Sequence, residues 1–414
     1  MIVLVSLLIF FKWATQLWLE RLNAQRVRQH SSHIPDALKS VVDEPTYRKS
    51  IDYTLAKNKL HQLELTYDAL ILSALLFSGF LPWIYGAFQN QFGHSIWAGA
   101  AFLFALGVVL AIPSLPFGWY SQFRLEQRFG FNTTTPKLWI LDRLKGLVLA
   151  LVVGYPLLIL ILKLVGSMGP HWWIWAWACV FFFQLLMLVL APVLIMPLFN
   201  KFTPLTPGPL RDRLLALGER TGFHAKSIQV MDGSKRSRHS NAFFTGFNRF
   251  RKIVLFDTLI EQLTPPELEA VLAHEIGHYK KGHIPKMLIW SAITLLGGFV
   301  VLSVLLQQEW FFAPFGFHAG DMTIALLLFT LLGGLITFWF TPLAHWWSRK
   351  YEYEADAYAA GIMGEIESMT GALRKLNEKN LSNLTPHPFY SGFYYSHPTL
   401  LEREQSLRVH KSRT

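Results

Sequence analysis

Seven predominantly apolar stretches, at 1–18, 69–88, 96–120, 147–165, 171–199, 287–306 and 322–347, constrain this chain more than any other feature. A spanning helix needs roughly 20 apolar residues, and within hydrocarbon only helices and closed barrels satisfy their own backbone. Runs of this length therefore predict a mainly α, polytopic membrane protein. The composition agrees, with 52% hydrophobic and only 16% charged residues, apolar beyond the globular norm.

The net charge of +11 would also suit a nucleic-acid partner, so the position of the charge has to decide. Lys and Arg number 8 in 21–59, 5 in 124–145, 14 in 201–286 and 9 in 349–413, while the segments 89–95, 166–170 and 307–321 carry none. Lys12 and Lys163 are the two exceptions. This alternation follows the positive-inside rule for seven helices with an external N-terminus, and it places every sizeable polar segment on the cytoplasmic side. It leaves no role for nucleic acid. The first stretch lacks both a basic leading region and a small-residue cleavage site, so it reads as a retained helix. The single cysteine, Cys179, excludes an intrachain disulfide and reads as a small apolar packing residue.

Four segments follow from this reading. Residues 1–199 hold five spans with their cytoplasmic loops, one of them a basic loop of about 45 residues between the first two spans. Residues 200–286 form a cytoplasmic α/β segment, 287–347 hold two further spans, and 348–414 form a cytoplasmic tail. Alternation over 241–246, followed by Lys252-Ile-Val-Leu-Phe256, predicts two short strands around a turn. Thr264-Pro265-Pro266-Glu267 is a helix start, with Thr as N-cap, prolines where a missing donor costs least, and Glu placed to close a capping box. Few breakers interrupt 346–360, so the last span should continue into the cytoplasm as far as Gly361.

The helix opened by Thr264 carries His274-Glu275-Ile276-Gly277-His278. Residues four apart share a helix face, so both imidazoles can grip one metal from adjacent turns, and zinc is the metal this arrangement suits. Glu275 points beside that metal, as a base that takes a proton from water would. A catalytic zinc needs a third ligand. The candidate is in Tyr351-Glu352-Tyr353-Glu354-Ala355-Asp356, where Glu352 and Asp356 share a face, one to bind metal and the other to accept a ligand histidine's second ring N–H. Helical phase turns Glu354 elsewhere. Outside this motif, His283 in Lys-Lys-Gly-His reads as a surface residue, and His345 as interfacial packing beside Trp346 and Trp347.

These residues resemble the type I CAAX prenyl proteases, integral-membrane zinc peptidases of the gluzincin kind. The resemblance extends over Leu115-Pro116-Phe117, Leu125-Glu126-Gln127-Arg128-Phe129-Gly130-Phe131-Asn132, Asp232-Gly233-Ser234-Lys235-Arg236-Ser237, His239-Ser240-Asn241-Ala242-Phe243, the two motifs above, and Ser396-His397-Pro398 with Arg403. It implies seven transmembrane helices around an intramembrane chamber, closed by a small cytoplasmic α/β zinc-protease domain. It implies one Zn2+ per chain held by His274, His278 and Glu352, with Glu275 as base and Asp356 behind a ligand. His397 and Arg403 match a pair near the reaction centre. The resemblance also implies that Asn241, Ala242, Phe243 and Gly246 belong to an edge strand that binds substrate backbone. The implied substrates are peptides or proteins ending in a prenylated C-a-a-X sequence.

The chain has no ER-retrieval ending and its loops are compact, which is compatible with a bacterial homologue at the inner membrane; a eukaryotic one would sit in the endoplasmic reticulum. In a bacterium, membrane-protein quality control without prenyl specificity is the alternative function. A transporter would be expected to show ionisable residues within its spans or inverted repeats. A scaffold with a structural zinc would have no need of Glu275.

Overall fold

The structure, a computed structural model, describes residues 1–223, 227–245 and 252–412. Among the described residues, six helices are long and apolar enough to cross a membrane: Ile2–Gln29, Ile96–Phe129, Pro136–Ser167, Gly169–Phe199, His283–Leu305 and Met322–Met363. Glu44–Phe77 and Phe80–Phe92, turned by 59° from each other, are long and apolar enough only when taken together as one bent pair. Gly79, at φ 76, lies at the bend, in left-handed backbone that glycine adopts without steric cost. A π-helical turn, Ser121–Glu126, lies near the end of Ile96–Phe129, and two more sit at prolines, Ala150–Gly154 beside Pro156 and Ala191–Ile195 around Pro192. There the ring's missing N–H shifts the hydrogen-bond register.

A helix in a packed bundle buries one face, but the apolar window of Gly169–Phe199 is 0% buried and that of Pro136–Ser167 is 11% buried. Such exposed apolar surface suits helices that face lipid. The spans join through a core of aromatic and aliphatic side chains, including Phe299, Phe311, Phe312, Phe315 and Leu328.

The expected basic loop between the first two spans is mostly helix. The first helix continues to Gln29 and the second starts at Glu44, where the Asp43 carboxylate accepts the Thr46 amide. No breaker interrupts 19–29, so the helix persists until its apolar side finds a partner. Val27, Leu38, Tyr47 and Ile51 pack with Ala270, Ala360 and Met369 of the polar half.

In that half, the described strands are β1 (Phe202–Pro204), β2 (Ser227–Met231), β3 (Ala242–Thr245) and β4 (Lys252–Phe256). They form one sheet in the order β1-β2-β4-β3, with β2 and β4 parallel and the outer pairs antiparallel. The two strands expected around a turn are thus β3 and β4, with β3 at the sheet's edge. The helix Pro265–Lys280 starts with the expected capping box at Thr264 and Glu267. It covers the sheet through Leu268, Leu272 and Ile276. The last span helix passes Gly361 and stops at Gly364, whose φ of 70 suits a glycine terminator.

Candidate metal centre

Two helices build the site. Gly277, on the helix Pro265–Lys280, lies so close to the last span helix that a Cβ there would be 3.0 Å from Ala355 Cα and 3.1 Å from its carbonyl oxygen. This approach brings one suitable atom each from His274, His278 and Glu352 within 4.8 Å of one another. His278 Nε2 is 3.2 Å from His274 Nε2 and 3.3 Å from Glu352 Oε1. Glu352 Oε2 lies 3.5 Å from His274 Nε2.

Glu352 Oε2 is buried and accepts no hydrogen bond among the described residues. The Arg403 guanidinium, 3.8 Å away, offsets part of its charge without a hydrogen bond, so a lone pair on this buried oxygen stays open to a metal cation. Two imidazoles and one carboxylate also form the three-ligand set that leaves a metal one open position. The residues therefore fit a metal ion. The electrostatics point the same way: burial opposes a charged His274, yet Asp356 and Glu352 outweigh it and raise its pKa to about 9. The pocket is built to hold positive charge.

Asp356 accepts from His274 Nδ1 at 2.8 Å and is itself held by Arg403, whose Nε and Nη2 reach its two oxygens at 2.8 and 2.5 Å. Arg403 Nη1 stands 3.8 Å from Glu352 Oε2, and its side chain is largely buried. His397 is 64% exposed, with Nε2 3.5 Å from Glu352 Oε1, so its ring borders the site's open side. Glu275 is half-buried one residue along from His274, and burial raises its pKa against the opposing pull of the two histidines.

Asn241 directly precedes β3, and its side chain accepts the Ala242 amide at 2.8 Å. Ala242 and Phe243 lie on β3; Gly246 lies outside the described residues. The Phe256 amide donates to the Asn241 carbonyl. Alternation then turns Phe243 and Thr245 toward β4, and the backbone groups of Ala242 and Phe244 toward the open edge.

One residue was misjudged from sequence. His283, expected on the surface, is 1% exposed; its Nδ1 is 2.9 Å from His278 Nδ1 and its Nε2 is 3.1 Å from Glu354 Oε2. Gly282, at φ 65, breaks the helix and starts the next one at His283, so helical phase carried across 278–283 misleads. The glycine itself was the available signal. Glu354 faces away from the three-ligand cluster, as helical phase predicts, and reaches His283. His345 donates to or accepts from no metal-site group; its Nδ1 lies 2.8 Å from the Phe393 carbonyl.

Comparison with known proteins covers nearly the whole chain. Residues 23–201 match the family model described as CAAX prenyl protease N-terminal, five membrane helices, and residues 204–411 match peptidase family M48. A CAAX prenyl protease 1 homolog of Arabidopsis thaliana is 36% identical over 97% of this chain and 95% of its own length. CAAX prenyl protease 1 of Saccharomyces cerevisiae is 36% identical over 90% and 88%. The human homolog is 30% identical over 97% and 95%. The crystal structure of S. mikatae Ste24p superposes with a TM-score of 0.91, at 35% identity over 98% of both chains.

Proposed function

The chain belongs to peptidase family M48, with the CAAX prenyl protease N-terminal helices ahead of its peptidase half, and from that premise we propose that its metal is zinc and that it cleaves near the C-terminus of prenylated C-a-a-X proteins. The observation that carries the metal assignment is the buried Glu352 oxygen, which accepts no hydrogen bond, beside two imidazole nitrogens. Zinc bound there supplies Lewis acidity, polarising the scissile carbonyl and making water acidic enough to attack near neutral pH.

The chain's own residues do the rest. His274, His278 and Glu352 hold the ion. Glu275, its carboxyl raised above the usual range by burial, takes the proton of the attacking water and delivers it to the leaving amine. His397, on the open side, donates to the oxyanion as it develops. Asp356 fixes the ring of His274, and Arg403 fixes Asp356. Substrate backbone adds to the free edge of β3, where outward amides and carbonyls recur at strand spacing and read no side chains. The charge alternation favours a cytoplasmic active site, in the endoplasmic reticulum or a bacterial inner membrane.

Glu275→Gln removes the base and no ligand, so the variant is expected to retain zinc near one equivalent while hydrolysis falls by several orders of magnitude. Metal analysis beside a cleavage assay checks it, and near-normal turnover would overturn the role. Prenylated and unprenylated versions of one C-a-a-X peptide separate substrate classes. Equal kcat/KM for both would favour a general membrane-protein protease.

A further inference from the structure

We propose that His283 and Glu354 are positioning residues that fix the ring of His278, forming a second outer arm of the metal site beside the Asp356–Arg403 arm. The inference rests on the metal reading above and deepens it. The Nε2 atoms of His274 and His278 converge with Glu352, so Nε2 is the metal-facing atom of each. A ring that binds metal through Nε2 carries its proton on Nδ1. For His274 that proton meets Asp356 Oδ1 at 2.8 Å. For His278 it meets no carboxylate but the Nδ1 of His283, 2.9 Å away.

This contact settles the proton positions along the chain. His278 Nδ1–H donates, so His283 Nδ1 accepts, and the proton of a neutral His283 must sit on Nε2. That atom lies 3.1 Å from Glu354 Oε2, an acceptor that takes the donation and keeps His283 in this tautomer. Reversing any link would put two N–H groups, or two lone pairs, face to face.

The geometry is held from outside as well. His283 stacks on Tyr351 with ring centroids 4.1 Å apart and planes 13° from parallel. Lys286 lies over the other partner of that stack, 5.5 Å from the Tyr351 centroid. Tyr351 and Glu354 are three apart and therefore share a helix face, the one on which His283 lies. All three carboxylates of 352–356 thus serve one centre: Glu352 as ligand, Asp356 behind His274, and Glu354 behind His278 through His283.

The test is zinc affinity by chelator competition on purified full-length protein in detergent, with visible spectra of the cobalt-substituted protein as a second readout. His283→Phe keeps a ring for the stack and removes both hydrogen bonds. We expect a ten- to hundredfold loss of affinity and a changed cobalt spectrum. Glu354→Gln keeps an acceptor and should bind within about threefold of wild type, whereas Glu354→Leu should lose about tenfold. Zinc binding by His283→Phe within twofold of wild type would overturn the proposal. Should His283→Phe not fold, equal affinities for Glu354→Gln and Glu354→Leu would overturn it instead. Failure of the wild type to bind one zinc would strike the metal reading itself, a different result from either.

Discussion

At the scale of single residues, the centre pairs each buried charge with a reason for its burial. Glu352 and Asp356 are 4% and 1% exposed, and both face the same two-histidine cluster. Their two roles separate cleanly, since Asp356 has hydrogen bonds from His274 and Arg403 while one oxygen of Glu352 has none. His397 differs from both because its ring is mostly exposed, and removing it disturbs no core. Replacing His397 with Ala is expected to lower kcat roughly a hundredfold while zinc content stays at wild-type level, as for loss of one oxyanion donor. Kinetics on a short peptide with parallel metal analysis would show it; normal turnover would reduce the machinery to the metal, its ligands and Glu275. The i, i+4 spacing of His274 and His278 was readable without a structure because it depends on helical repeat alone. The burial of His283 was not, because Gly282 ends that repeat four residues past His278.

At the scale of elements, the site depends on how closely two helices approach. Gly277 supplies the approach, with the Ala355 backbone occupying the space a methyl group would need. Gly277→Ala should therefore push the helices apart by tenths of an ångström. It should cost about 1–3 kcal/mol of stability as an overpacked core does, and weaken zinc binding, since Glu352 moves away from His274 and His278 together. Thermal melts of the metal-free and zinc-loaded variant separate the two effects, and unchanged affinity would show the approach is not limiting. The sheet's edge gives a second expectation. Phe244 has its amide on the open side of β3, whereas Phe243 is paired with Val254. Phe244→Pro should raise KM by removing an edge donor while leaving β4 pairing intact, and Phe243→Pro should destabilise the sheet. If both variants behave alike, substrate does not lie along β3. That Ala242–Thr245 and Lys252–Phe256 would be strands was legible from their residue pattern; that β3 lies at the edge, with β4 paired to β2, was not, because strand order is set by contacts distant in sequence.

At the scale of the whole molecule, the bilayer organises the chain. Several spans leave their apolar windows largely exposed, as lipid contact allows, and the polar half packs against the ends of the first two helices through Val27, Tyr47 and Ile51. A cytoplasmic active site predicts that Ser234→Cys in a Cys179→Ser background escapes an impermeant thiol reagent in intact cells and reacts after permeabilisation, Ser234 being exposed. Labelling from outside would invert the topology.

By itself the sequence determined the membrane class, the long apolar helices, the capped helix and the face on which His274 and His278 sit. Each of these follows from a local repeat or an apolar length, and neighbouring residues impose both. Only the tertiary structure decided the rest: a helical rather than looped link between the first two spans, the near contact of Gly277 with Ala355, and the line from His278 through His283 to Glu354. His283 and Glu354 are 71 residues apart. They meet because a left-handed glycine turns one helix into the next and a second helix packs closely against both, and no periodicity within either segment encodes that meeting.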